Sequence, residues 1–115
     1  MWPSGQGVSF PRAVATVQID NPKVRVTEWS FAPGAATGHH RHDYDYVVVP
    51  LTTGRLAITT AAGEAAAELM AGRPYFREAG VEHDVRNANP FAFVFVEIEL
   101  KTAPAGAPSS ATPSE

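Results

Sequence analysis

An all-β fold is predicted for this sequence, and three observations support the prediction. Apolar residues recur at every second position through much of the chain, which is the period of a strand with one buried face. Ten prolines and nine glycines divide the 115 residues into short elements joined by turns. Only one segment has strong helix propensity. Many short strands at regular spacing are typical of an antiparallel sandwich or barrel, and we expect a conical jelly roll of two sheets.

The predicted strands are separated by turn residues. An alternating run from Val24 ends at an Ala-Pro-Gly turn, and the β-branched and aromatic run 44–49 ends on a proline. The strongest prediction, 91–100, is apolar on both faces at first and becomes half-exposed through Glu97 and Glu99. The shorter strand candidates between them are 55–60, 74–77 and 83–86.

The segment with helix propensity is 64–71, with the sequence EAAAELMA. Its eight residues are fewer than an independent helix prefers. A hairpin-like Ala-Ala-Gly precedes it at 61–63. We therefore favour a strand here, which tertiary contacts would have to impose.

The length predicts one domain with one hydrophobic core. Residues 1–10 are interpreted as an N-terminal arm and 11–101 as the β-barrel. The segment 102–115 consists mainly of proline, alanine and serine, and it has too little apolar surface to offset the entropy of ordering. We expect it to be a disordered tail.

Composition and charge exclude several classes of function. A formal net charge of -3 provides no basic field for nucleic acid or an anionic membrane. No run approaches the roughly 20 apolar residues needed to span a bilayer, and the first residues lack the pattern of a secretory signal. The absence of cysteine excludes disulfides, thiol nucleophiles and iron–sulfur clusters. We expect a cytoplasmic protein that binds neither nucleic acid nor membranes.

All four histidines fall in two places, which suggests a metal site. On a strand, residues two apart share a face, so His40 and His42 point the same way while His39 and Arg41 point the other way. A third imidazole from a neighbouring strand would complete a facial set of three donors with positions open for water or substrate. His83 is the remaining candidate. The alternative is a His-x-His pair that occurs by chance in an exposed loop.

The residues around these histidines form two spaced motifs. Gly34, His40, His42 and Gly54 are on register in the first motif, and Gly72, Gly80, His83 and Asn87 in the second. These motifs resemble those of the cupins, in particular the small single-domain, conserved-barrel type. The resemblance covers about half the chain, 34–87, and it implies a double-stranded β-helix with a mononuclear metal inside the barrel. The runs 40–56 and 76–87 and the strand 93–100 are also similar to small bacterial cupins linked to β-alanine degradation, the BauB type.

One departure from the family pattern concerns the glutamate ligand of the first motif. That position falls on Tyr46 by the shorter spacing or on Val47 by the longer. Asp43 and Asp45 are close, but their parity is opposite to that of the two histidines, so a bulge would be needed to aim either inward. Tyr46 keeps the inward parity. It is a candidate to hydrogen-bond metal-bound water or to ligate ferric iron, although we favour a place in the wall of the site.

Two further residues are candidate catalytic groups together with Tyr46. Glu78 replaces the proline of the second motif and is expected near the barrel mouth. Arg77 lies nearest that motif among the arginines that could orient an anionic substrate, because a guanidinium matches a carboxylate. The alternative for each arginine is a solvated position on the outer face. The other arginines considered are Arg41, Arg55, Arg73 and Arg86.

The function predicted from this donor set is that of a metal-dependent protein. Three neutral imidazoles leave a bound dication its full charge, so that it strongly polarises water or an anionic substrate. Iron and zinc are the first candidates, with manganese, nickel and copper as alternatives. The resemblance includes three-histidine iron thiol dioxygenases, in ligand count only.

Three hypotheses about activity stay open at this point. The first is an enzyme acting on a small polar organic acid or amine, with dioxygenation as one reaction. The second is a binding or sensing module for a small ligand, and the third is a structural cupin with vestigial histidines. Cupins of this size commonly pair through their outer strands, which implies a homodimer.

Overall fold

The computed structural model describes residues 10–101, in which there are nine β-strands and no helix. The predicted tail and all of the predicted arm except Phe10 lie outside the described residues. Within the described part, no helix is long and apolar enough to cross a membrane. The strands are Val14–Asp20 (β1), Val24–Phe31 (β2), His40–Arg41 (β3), Asp45–Pro50 (β4), Gly54–Thr60 (β5), Gly63–Leu69 (β6), Tyr75–Arg77 (β7), Glu82–Asn87 (β8) and Phe93–Leu100 (β9).

These strands form two antiparallel sheets, which confirms the predicted all-β jelly roll. One sheet has five strands in the order β1-β2-β9-β4-β7, and the other has four in the order β3-β8-β5-β6. Most neighbouring strands in each sheet are distant in sequence. For example, β9 lies between β2 and β4. Both sheets turn one face inward, and the core between them includes Phe31, Phe93 and Leu56.

The segment with helix propensity is a strand, as predicted. β6 pairs with β5 in continuous register, from Gly54 opposite Leu69 to Thr60 opposite Gly63. A two-residue turn joins these strands, and Gly63 adopts a φ of 116°, which a side chain would disfavour. The pairing supplies backbone hydrogen bonds that an eight-residue helix would form only marginally alone, so tertiary context overrides propensity.

The predicted exposure of the last strand is wrong at one residue. Glu97 is only 7% exposed. It shares the inner face of β9 with Phe93 and Phe95, which are 0% and 6% exposed, because residues two apart on a strand point to the same side. The acidic side chain therefore lies inside the barrel.

Asn87 secures the strand that carries His83. Its side chain is 1% exposed, and its amide donates to the carbonyl oxygens of Phe31, Ala32 and Phe91 at 3.2, 3.2 and 2.8 Å. These hydrogen bonds link the end of β8 to the end of β2 and to the segment before β9. These hydrogen bonds fix the position of β8 in the barrel at Asn87, which is four residues after His83.

Candidate metal centre

The three predicted histidines are brought together by the pairing of β3 with β8. His40 lies directly opposite His83 in this antiparallel pair. His42 follows the end of β3, and its backbone N–H donates to the carbonyl of Val81 at 2.9 Å while its own carbonyl accepts from Gly80 at 2.8 Å. The loop before β8 is thus bound to the end of β3, and Gly80 reaches it with a φ of 99°.

Three imidazole nitrogens converge at this point. The Nε2 atom of His42 lies 3.1 Å from that of His40 and 3.2 Å from that of His83. The rings meet nearly at right angles, with interplanar angles between 68° and 86°. Edge-on rings of this kind direct several nitrogens toward a common centre rather than stacking their faces.

Acceptor oxygens on the far side of two rings assign their tautomers. The Nδ1 atom of His40 lies 2.9 Å from the carbonyl oxygen of Gly38, which can only accept, so this nitrogen carries the proton. The Nδ1 atom of His42 lies 3.4 Å from a carboxylate oxygen of Glu97 and is assigned the same role. Both Nε2 atoms then present lone pairs, and facing lone pairs at 3.1 Å favour a cation between them.

The pKa values of His42 and His83 leave these two imidazoles available as ligands at neutral pH. Burial, followed by the proximity of His40, lowers the pKa of His42 to about 4. Burial and the neighbouring histidines lower the pKa of His83 to about 3. Both rings are therefore neutral at pH 7, which is the form that binds a metal ion.

The donor set fits a mononuclear metal ion. Nitrogen ligands bind zinc at about 2.0–2.1 Å, which places neighbouring nitrogens about 2.9 Å apart in an octahedral arrangement and about 3.3 Å apart in a tetrahedral one. The observed separations of 3.1 and 3.2 Å lie between these limits. The side chains of His40, His42 and His83 form a group that could hold a metal ion.

Glu97 is a residue of this site that was missed by the sequence analysis. Besides its contact with His42, its other carboxylate oxygen accepts a hydrogen bond from the Trp29 indole at 3.1 Å. Burial raises the pKa of Glu97 to about 7, against the lowering effect of that hydrogen bond. The signal was present in the sequence, because Glu97 has the inward parity of the phenylalanines before it.

Tyr46 lies in the wall of the site. Its ring is 2% exposed and stacks on the His42 ring, with centroids 3.9 Å apart and an interplanar angle of 19°. Burial raises the pKa of its hydroxyl. Among the described residues this hydroxyl has no hydrogen-bond partner, so a buried polar group faces the interior without compensation.

The two aspartates considered as replacements for the glutamate ligand are engaged elsewhere. Asp43 is exposed and pairs with Arg41 at 3.3 Å. Asp45 accepts a hydrogen bond at 2.8 Å from the backbone N–H of Ala79, which ties the start of β4 to the loop after β7. Neither belongs to the histidine group.

The remaining predicted catalytic residues lie outside the histidine cavity. Glu78 is exposed in the loop after β7 and does not line the cavity. Arg77 is exposed on β7, and its guanidinium lies over the Tyr75 ring, 4.7 Å from the centroid. Tyr75 itself lines the cavity, so Arg77 is one side chain away from it.

The cavity beside the histidines is small. It offers about 20 Å³ to the centre of a water-sized sphere, which is room for about one water molecule. Its walls combine the imidazoles and Glu97 with apolar side chains such as Val48, Leu56 and Phe95. An organic substrate larger than this space must contact the site from its opening.

Comparisons with known proteins agree with this architecture. No protein-family model matches the chain. The β-alanine degradation protein BauB of Pseudomonas aeruginosa is 62% identical over 91 residues, which cover 79% of this chain and 96% of that protein. The crystal structure of a cupin domain from Bordetella pertussis Tohama I has a TM-score of 0.81 and 54% identity, and the match covers 84% of this chain and 100% of that chain.

More distant structures share the fold alone. A conserved protein with a double-stranded β-helix domain from Klebsiella pneumoniae has a TM-score of 0.66 at 21% identity, covering 84% of this chain and 81% of its own. A cupin 2 conserved barrel domain protein from Salinispora arenicola has a TM-score of 0.63 at 18% identity, covering 89% and 88%. The jelly roll described above is therefore a double-stranded β-helix.

Proposed function

The chain belongs to the cupin superfamily and is a BauB-like cupin, and on this premise we propose that it is a mononuclear metal enzyme acting on a small polar organic acid or amine. His40, His42 and His83 are the proposed metal ligands. The observation that carries the proposal is the convergence of the three Nε2 atoms. Those of His40 and His83 lie 3.1 and 3.2 Å from the Nε2 atom of His42.

The proposed metal is iron or zinc, with manganese, nickel and copper as alternatives for an all-imidazole donor set. When bound, iron supplies the chemistry of a dioxygenase, and zinc supplies Lewis-acid polarisation of a ligated oxygen. The protein's part is to hold neutral imidazoles with their Nε2 lone pairs directed inward. The Gly38 carbonyl does this for His40 by accepting its Nδ1 proton, and the Glu97 carboxylate lies 3.4 Å from the Nδ1 atom of His42 in the corresponding position.

The proposed roles of the other candidate residues follow from their positions. Tyr46 orients the His42 ring by stacking and directs a hydroxyl into the interior, where it can hydrogen-bond a bound oxygen atom. Arg77 lies outside the cavity wall, where its charge can orient an anionic group. Glu78 stays a prediction, and its exposed position restricts any role to the mouth of the barrel.

The substrate class is supported by the cavity and by the relative. The name of the Pseudomonas aeruginosa protein links that protein to β-alanine degradation, a name that favours a small amino or carboxylic acid for this chain also. The cavity has room for about one water molecule. A small acid or amine that reaches the histidines through the opening of the cavity is consistent with both observations.

A binding or sensing function is the second candidate. It is favoured by the small volume of the cavity, which admits little more than an ion and a water molecule. Oxygen consumption by the iron-loaded protein, measured over a panel of acids, thiols and amines, separates the two candidates. A saturable rise in melting temperature with one compound, without turnover, would favour the binding module.

We also propose that the protein is a cytoplasmic homodimer that pairs through β1. This strand is an edge of the five-stranded sheet, and Val14, Val17 and Ile19 are 60%, 54% and 49% exposed on it. An exposed apolar edge strand is a template for pairing with a second copy. Sedimentation at a monomer mass would contradict the dimer.

The metal content of purified protein tests the main proposal. We expect close to one equivalent of a transition metal after purification without chelator, and less than a tenth of an equivalent would contradict the proposal. His83→Ala should abolish binding, since the two remaining imidazoles make a weak site. His39→Ala is the matched control, because His39 is exposed, pairs with Glu82 and is not a member of the three-histidine group.

A further inference from the structure

A second, larger cavity lies beside the histidine cavity. It is a groove of about 280 Å³ where the edge strand β6 of one sheet faces the edge strand β7 of the other, close in size to small-molecule sites. Ile58 and Tyr75 line both cavities. The groove is thus separated from the imidazoles by a single layer of side chains, and we call it the Arg73–Arg77 groove after the two arginines that line it.

These arginines lack the partners that compensate other guanidinium groups. Among residues 10–101, neither Arg73 nor Arg77 forms an ion pair with a carboxylate. The Arg77 guanidinium lies over the Tyr75 ring and donates a hydrogen bond to the carbonyl oxygen of Phe76 at 3.1 Å. Four other arginines each have an acidic partner: Arg25, Arg41, Arg55 and Arg86.

The acidic residue in the groove does not neutralise them. Glu68 lines the groove, but its carboxylate pairs with Arg55 at 2.6 Å. The remaining walls are apolar and include Leu69 and Met70, the latter 54% exposed. A surface with two uncompensated guanidinium groups beside apolar side chains complements a carboxylate attached to a short hydrocarbon body.

We propose that the Arg73–Arg77 groove binds the carboxylate of a small organic acid whose other end extends past Ile58 and Tyr75 toward the histidines. This inference rests on the proposed function and selects the acid over the amine as the substrate class. The histidine cavity is the wrong place for the carboxylate, since it has room for about one water molecule and already contains the carboxylate of Glu97.

The charge of Arg77 reaches the boundary between the two cavities. Burial raises the pKa of the Tyr75 hydroxyl, and the Arg77 guanidinium opposes that rise. A carboxylate bound between Arg73 and Arg77 would therefore lie next to the tyrosine that both cavities share. This position places the substrate at the opening rather than inside the barrel.

The test uses three probes of equal length: propionate, propylamine and 1-propanol. Each is titrated into the ¹⁵N-labelled protein as purified, with its metal content measured, and binding is followed by amide chemical shifts. We expect saturable shifts at Ile58, Ala67 and Leu69 with propionate alone. Arg73→Gln and Arg77→Gln should each weaken propionate binding by roughly three- to tenfold, the value of one charge-assisted hydrogen bond near the surface.

Control variants identify what propionate binds. Arg25→Gln removes the same charge far from the groove and should leave the affinity unchanged within about twofold. Arg77→Lys keeps the charge but not the planar fork, so an intermediate loss is expected. Equal binding of propionate and propylamine, or equal losses in Arg25→Gln and Arg77→Gln, would overturn the proposal.

His83→Ala separates this inference from the proposed function. Propionate binding that survives in this variant and fails in Arg73→Gln supports the groove, whatever the metal content. Binding that is lost in His83→Ala and unchanged in both arginine variants shows that the carboxylate ligates the metal, which refutes the groove and supports the metal site. If the purified protein binds propionate in the groove but contains no metal, only the proposed function is refuted.

Discussion

Replacing Glu97 with glutamine changes both the pH dependence of stability and the affinity for metal. The carboxylate accepts a hydrogen bond from the Trp29 indole, lies 3.4 Å from the Nδ1 atom of His42 and is 7% exposed. Its pKa is raised from 4.5 to about 7, chiefly by burial. Glutamine has the same shape and does not ionise, so it removes the charge while leaving the packing intact.

The magnitude follows from the raised pKa. Between pH 4.5 and 7 the folded protein binds more protons at this carboxyl than the unfolded chain does, so its ionisation destabilises the fold as the pH rises. At about 1.36 kcal/mol per pH unit, the cost is about 3 kcal/mol at pH 8 and less than about 1 kcal/mol at pH 5. The unfolding free energy of wild type relative to Glu97→Gln should thus fall by about 2–3 kcal/mol from pH 5 to pH 8.

Urea unfolding of the metal-free proteins at both pH values measures this change. Glutamine keeps only one of the two acceptor oxygens that face Trp29 and His42, which adds a constant cost of about 1–3 kcal/mol, and the comparison between pH values removes that constant. Glu64→Gln is the matched control, because Glu64 is exposed and pairs with Arg86 at the surface. A difference between wild type and Glu97→Gln that is the same at pH 5 and pH 8 would refute the burial of an ionisable carboxylate.

The same variant should bind metal about 10- to 100-fold more weakly, because a carboxylate that holds a histidine ligand sets its tautomer and basicity. Competition with a chromophoric chelator measures the affinity, and Glu64→Gln should match wild type. Unchanged affinity in Glu97→Gln would mean that Glu97 does not position His42.

Three further predictions concern the wall of the cavity, the hydrogen bonds that hold β8, and stability at acidic pH. Tyr46→Phe removes a buried hydroxyl without a partner, so the unfolding free energy should rise by about 1–2 kcal/mol with metal affinity unchanged within about twofold. Lost metal affinity would instead make Tyr46 a ligand. Asn87→Leu removes the hydrogen bonds that the buried side-chain amide shares among three carbonyl oxygens and should cost about 3 kcal/mol in urea unfolding. The pKa values of His42 and His83 are lowered to about 4 and about 3, so the unfolded chain binds more protons below pH 6.5. Metal-free Glu97→Gln, in which no carboxyl opposes this effect, should therefore lose stability steadily between pH 6.5 and 4, and constant stability there would contradict the neutral, buried imidazoles.

Much of the fold was predictable because strands impose a period of two on the sequence. The parity of His40 and His42 predicted a shared direction, although β3 ends at Arg41 and His42 lies just beyond it. The same rule would have placed Glu97 inside, since it continues the series of Phe93 and Phe95. Because glutamate is charged, the sequence analysis predicted an exposed side chain, and that prediction was wrong.

Other features depend on which strands become neighbours. Asp45 and Tyr46 are adjacent in sequence, yet one binds the backbone of Ala79 and the other stacks on His42. The two arginines of the groove differ from Arg25, Arg55 and Arg86 in having no acidic residue that the fold places beside them. No local pattern contains this information, because the partners of those three arginines lie on other strands.

By itself, the sequence determined the all-β class, the turn positions and the identity of three imidazoles, since each depends on a local period or on a short spacing. Only the tertiary structure decided that the His42 ring meets a buried carboxylate, that a tyrosine hydroxyl is left without a partner, and that two arginines share a groove beside the histidines. The physical reason is that burial and pairing are properties of segments far apart in the chain, and the packing of the two sheets determines which of them touch.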